Sequence, residues 1–157
     1  MYVPKHFRLE EFLPEREFRR WGHQYGARLW ELIDSRVVRT AEMLRERYGP
    51  AYLNTWWSPN LIDAYGRHEF RGWRPYDCKV GSELSQHKWG RAADMVFRDV
   101  FAEEIRRSLL QGGEDPIGDS GAPWFRFITC VEEGVSWLHF DVRNWNREAN
   151  GIKVVRP

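Results

Sequence analysis

Apolar positions along this chain recur with two periods. Over residues 27–48, Leu29, Ile33, Val37, Ala41, Leu44 and Tyr48 return at steps of three and four, which lines one face of a helix. Gly49-Pro50 stops that helix. Residues 100–111 repeat the pattern with Phe101, Ile105 and Leu109; Asp99 is the expected N-cap and Gly112-Gly113 the terminator. Residues 8–22 read as one or two short helices, broken or started at Pro14. Elsewhere the period is two. In 91–97, Ala92, Asp94 and Val96 share one face and Ala93, Met95 and Phe97 the other. In 136–143, Leu138, Phe140 and Val142 face one way, and Trp137, His139, Asp141 and Arg143 the other. Further strands are expected over 51–57 and 125–132, the latter turning at Glu132-Glu133-Gly134-Val135 into a hairpin with 136–143. A long loop (58–86), a second loop (114–123) and a tail of fourteen residues complete the chain. Helices set against a small antiparallel sheet make an α+β fold, and 157 residues fit a single domain over 1–157.

The polar faces of the two strands carry the chemistry. His87 and Asp94 lie in Ser85-Gln-His-Lys-Trp-Gly-Arg-Ala-Ala-Asp94, and His139 in Trp137-Leu-His-Phe-Asp141. Two histidines and a carboxylate are the ligand set of an open zinc site whose fourth position holds water. Asp94 sits between small apolar neighbours, where an unpaired carboxylate is costly and a cation is a good partner. Gly90 falls between the first two ligands, where a positive φ or a close backbone approach would exclude a side chain. Ser85 shapes the turn, and Asp141, on the His139 face, is a candidate to orient a ligand, to serve as a spare ligand or to pair with Arg143 at the surface. His6, His23 and His68 have no partners at ligand spacing.

Ser-x-His-x-x-Gly-x-Ala-x-Asp followed by Trp-x-His resembles the zinc peptidases that include D-alanyl-D-alanine carboxypeptidases, phage L-alanyl-D-glutamate endolysins and the Hedgehog domain. Ser85, His87, Gly90, Ala92 and Asp94 match the first element, and Trp137 and His139 the second. Five fixed residues in such a window arise by chance on the order of once in ten thousand chains of this length. The resemblance spans residues 81–143. It implies a Hedgehog-like zinc cleft, with Zn2+ held by His87, Asp94 and His139, and hydrolysis of peptide bonds in bacterial peptidoglycan.

Two positions depart from the family. Its enzymes commonly carry a carboxylate three residues before the last histidine, where this chain has Ser136. Hedgehog domains carry a glutamate six residues before it, the place of Glu133, so the resemblance points to Glu133 as general base. Glu132 is then expected to point away. Family enzymes that cut beside a free carboxylate bind it with an arginine. Trp57 stands where related chains often have one, so Arg71 and Arg74 of the long loop become the candidates. A non-catalytic zinc-bearing binding or phage structural domain is the alternative that Ser136 favours.

Composition narrows the partners. Lys+Arg 24 against Asp+Glu 23 argues against nucleic acid as the main partner. No run approaches the roughly 18 apolar residues of a membrane span, and no secretory signal is visible. The expectation is a cytoplasmically made monomer, compatible with a phage product, that acts on cell-wall peptide. Cys78 and Cys130 are expected as free thiols, without zinc spacing. Nine tryptophans are unusual; such rings line sugar or peptide clefts as well as cores.

Overall fold

The computed structural model describes residues 1–111 and 125–156. Its six helices and five-stranded sheet make a mixed α+β fold. Pro14 separates α1 (Leu9–Phe12) from α2 (Glu15–Tyr25). The helix expected over 27–48 is divided. Residues Gly26–Leu32 wind as 3-10 turns, Ile33 is extended, and α3 runs Ser35–Tyr48. The break comes from Asp34, whose carboxylate accepts the Arg36 N–H at 3.0 Å and so starts a new helix. The stripe of Val37, Ala41 and Leu44 on α3 is fully buried.

The sheet order is β1-β2-β4-β3-β5, from β1 (Ala51–Tyr52), β2 (Ala92–Phe97), β3 (Cys130–Glu132), β4 (Leu138–Asp141) and β5 (Lys153–Val155). Neighbours are antiparallel except β3 and β5, which are parallel. The C-terminal segment is therefore no tail: α6 (Arg147–Asn150) returns the chain so that β5 adds an edge strand. The strand expected over 51–57 ends at Tyr52, because Asn54 and Thr55 donate their N–H groups to Glu11 and His68 instead of to a ladder. The loop 58–86 contains α4 (Pro59–Tyr65), with Ser58 before it and Pro59 in its first turn. Helix α5 (Ala102–Leu110) is preceded by Phe101 as N-cap; Asp99 is engaged by the Arg98 guanidinium instead. Gly112-Gly113 and the loop 114–123 lie outside the described residues. The expected strand 125–132 narrows to β3, since Ile128 closes a turn onto the Phe125 carbonyl.

Strand alternation then sorts the sheet into two faces. Ala93, Met95, Phe97, Val131, Leu138 and Phe140 join α3 and α5 in the core. The opposite face presents Asp94, His139, Asp141 and Cys130, with Asp94 directly across from His139 and Cys130 across from Asp141. Both cysteines are free, and no described helix is long and apolar enough to cross a membrane.

Candidate metal centre

His87, Asp94 and His139 are 2, 5 and 8 % exposed, so three ionisable side chains meet where water barely reaches. His87 Nε2 lies 3.3 Å from His139 Nδ1 and 3.3 Å from Asp94 Oδ2, and His139 Nδ1 lies 2.7 Å from Asp94 Oδ1. A tetrahedral zinc about 2.0–2.1 Å from each donor would separate the donors by about 3.3 Å. The two separations from His87 Nε2, to His139 Nδ1 and to Asp94 Oδ2, match that value, while His139 Nδ1 hydrogen-bonds the other carboxylate oxygen, Oδ1, a bond that an ion would replace. The donor set of two imidazoles and one carboxylate fits zinc.

Each donor is aimed by its neighbours. His87 Nδ1 donates to the Gly72 carbonyl at 2.7 Å, which leaves the Nε2 lone pair facing the cluster. Gly72 can reach that position because it has no side chain: a Cβ there would sit 2.4 Å from the Phe12 carbonyl oxygen. Gly90 ends the turn Gln86–Trp89 at φ +67, and a Cβ would lie 2.1 Å from the Leu32 oxygen, so both conditions expected of it hold. Arg74 is buried and donates to Asp94 Oδ2 at 2.8 Å and to the Phe70 carbonyl at 2.5 Å. Asp141 is fully buried, 3.5 Å from His139 Nε2, and clamped by Arg143 Nε at 2.9 Å from both its oxygens. Buried Arg106 of α5 donates to the Val135 and Trp137 carbonyls at 3.1 and 2.9 Å, fastening the loop that enters β4.

Electrostatics follow from that packing. Burial lowers the His87 pKa, so its imidazole is neutral and ready to act as a ligand. Burial also works to lower the His139 pKa, but Asp141 and Asp94 outweigh it and lift it to about 9. Burial works upward on Asp94, yet His87 and His139 hold the carboxyl far below its usual range. The cluster without an ion is thus a carboxylate paired with a protonated His139. A cation entering it displaces that proton.

A cavity of 360 Å³ adjoins Asp94, with Arg67, His68, Arg71, Arg74 and Trp137 among its walls. The two candidate arginines differ sharply there. Arg74 is engaged with Asp94 and two backbone carbonyls. Arg71 has a buried Nη1 with no hydrogen-bond partner among the described residues, and so does the Trp137 Nε1. Ser85 precedes the Gln86–Trp89 turn and its carbonyl accepts the Lys88 N–H at 3.0 Å; its hydroxyl bonds to none of the three ligands. Glu133 is not brought to the cluster. Its N–H joins the Val155 carbonyl at 2.9 Å and its carboxylate lies 3.4 Å from Arg156. Glu132, expected to point away, stands on the cluster face: it alternates with core residue Val131 and shares the side of Cys130, and its charge is felt at Arg74.

Gly72 and Asn54 are not marked as site residues by the sequence, whereas the pairing of Arg143 with Asp141 is one of the readings it offers. Asn54 is fully buried; its Nδ2 donates to the Leu13 carbonyl at 3.0 Å and its Oδ1 accepts the Arg71 N–H at 2.9 Å, which sets Arg71 in place. A polar residue inside an apolar, aromatic stretch was the available signal for Asn54. No local pattern marks Gly72. A second group of metal-ligating type, His6 with Glu42 and Glu46, is explained without an ion, since Glu42 accepts the Lys5 and His6 backbone N–H groups at 2.9 and 3.1 Å. No family model matches the chain, and no curated protein or solved structure matches it.

Proposed function

We propose that this protein is a zinc peptidase that hydrolyses peptide bonds in the stem or cross-link of bacterial peptidoglycan. The observation that carries the reading is the buried His87, Asp94 and His139 cluster opening beside a cavity that contains an unpartnered guanidinium nitrogen. Zinc held by His87, Asp94 and His139 would acidify a water and polarise the scissile carbonyl. The residues of the chain then have separate tasks. Arg71 and the Trp137 indole N–H, both lacking acceptors, suit a carboxylate or carbonyl of the substrate. Arg74 holds Asp94 in place and does not contact substrate. Glu132 accepts the proton of the attacking water and returns it to the amine as the C–N bond breaks. Its place on the cluster face supports Glu132 over Glu133, whose carboxylate pairs with Arg156.

The test is a digest of purified muropeptides by the zinc-loaded chain, read by mass spectrometry. Cleavage of a stem or cross-link amide is expected. Glu132→Gln should keep zinc and lower the rate a hundredfold to ten-thousandfold, while Glu133→Gln stays near the parent. A zinc-loaded parent that cleaves no wall chemotype would replace the enzyme with a zinc-bearing binding domain, the reading that Ser136 favours.

A further inference from the structure

A second cavity, of 710 Å³, lies between α1, α2 and the segment after β1. Its volume falls within the range of roughly 300–1,000 Å³ typical of small-molecule sites. Phe18 and the two indoles of Trp56 and Trp57 supply its apolar surface. Both indole N–H groups are already engaged, Trp56 with the Leu13 carbonyl at 2.9 Å and Trp57 with the Asn54 carbonyl at 3.0 Å. The rings are thus held in place and offer carbon surface only. Around them stand Arg8, Glu10 and His23, whose side chains have no ion-pair or hydrogen-bond partner among the described residues. Arg8 stacks its guanidinium over Trp57 at 5.2 Å, which keeps its N–H groups free at the edge.

The opening itself depends on Gly22. Glycine in the middle of an α-helix is unfavourable by about 1 kcal/mol relative to alanine. Here it lies one turn beyond Phe18 on α2, and a Cβ would rest 3.6–3.7 Å from the far end of that ring. Its missing side chain leaves the Phe18 ring facing the cavity. The cavity also adjoins the metal-side cavity, because Glu15 pairs with Arg19 on one rim and with Arg67 on the other.

We infer that this cavity binds an amino-sugar unit of a glycan strand. Aromatic faces suit the C–H surface of a pyranose, while a free carboxylate and free guanidinium suit hydroxyl and acetamido groups. The choice of amino sugar rests on the cell-wall reading of the metal site, whose substrate peptide is attached to such a strand. The cavity places the sugar beside the peptide-cleaving centre and not within it.

The experiment titrates the full chain with the tetramer of N-acetylglucosamine, with a β-linked glucose tetramer as control, followed by tryptophan fluorescence and amide NMR. Saturable binding of the first sugar, at least tenfold tighter than the second, is expected. Gly22→Leu fills the cavity and should weaken binding at least tenfold while melting no lower than the parent. Arg8→Ala removes an unpaired exposed group and should weaken binding severalfold with the fold intact. No saturable binding by the parent, equal affinity for the glucose tetramer, or unchanged affinity in both variants would overturn the assignment. Hydrolysis of a sugar-free stem peptide is measured separately. A chain that binds the sugar without cleaving the peptide loses only the peptidase reading, and one that cleaves without binding loses only the cavity.

Discussion

At Asp94 one carboxylate serves two opposing groups. Oδ1 meets His139 at 2.7 Å and Oδ2 meets Arg74 at 2.8 Å, so a metal would share the carboxylate with a fixed guanidinium. Asp94→Asn keeps an acceptor for Arg74 but removes the charge, and the expected outcome is loss of zinc at unchanged far-UV circular dichroism. Asp141→Asn acts indirectly: it leaves the three ligands intact but releases His139 Nε2, and zinc affinity should fall about ten- to hundredfold by competition with a chromogenic chelator. A second carboxylate governs stability. Glu11 is buried, and burial, opposed by the Arg8 N–H and by Arg45, raises its pKa from 4.5 to about 7. An acid whose folded pKa is raised keeps its proton in the native state while the unfolded chain loses it. Stability therefore declines as pH rises from about 4.5 to about 7 and stays reduced above, by on the order of 3 kcal/mol. Glu11→Gln should raise the melting temperature at pH 8 and change it little at pH 4. Equal shifts at both pH values would reject the assignment.

At the scale of elements, the strands were legible where both faces obey one rule. Ala93, Met95 and Phe97 on β2 and Leu138 and Phe140 on β4 are core, and the residues between them build the centre. Glu132 departs from its expected direction because the chain does not turn there: it is still strand, paired with Val155 of β5 at the end of β3. What was not legible is backbone whose partners are distant in sequence. Residues 53–57 have the β-formers of a strand, yet the N–H groups of Asn54, Thr55 and Trp56 answer to Glu11 and His68. Residues 153–155 become strand only because β3 leaves an edge open. Of the glycines, Gly90 could be read from its place between ligands, while Gly72 needed the fold to bring Phe12 beside it. This difference gives a paired expectation. Gly90→Ala meets both a left-handed φ and the Leu32 carbonyl, and should destabilise the chain by more than about 2 kcal/mol in urea melts. Gly72→Ala meets only the Phe12 backbone and displaces the carbonyl that aims His87, so it should weaken zinc binding more than its effect on stability would suggest.

For the whole molecule, the candidate metal site joins the middle of the chain to its C-terminal third, since His87 and Asp94 precede α5 and His139 follows it. Zinc that binds the folded chain only should stabilise it by about 2.7 kcal/mol at a hundredfold excess over Kd, an upward shift of roughly 5–10 °C for a domain of this size. A chelator should reverse the shift, and His87→Ala should abolish it. His23→Ala, on the exposed surface, should leave it unchanged.

The wall beside the candidate metal site is sewn to the body of the protein. Asn54 fixes Arg71, Phe12 fixes Trp73, the His87 carbonyl fixes Arg74, and Arg71 in turn receives the Asp94 N–H. A segment tethered at Arg71, Trp73 and Arg74 cannot swing as a flap, so the centre must accept its ligand by lock and key, not by induced fit. Its amides at Arg71, Trp73 and Arg74 should exchange with deuterium as slowly as those of β2, and only when the whole domain opens. Association should then be quick and insensitive to solvent viscosity beyond simple diffusion, because no closing motion stands between encounter and the bound state.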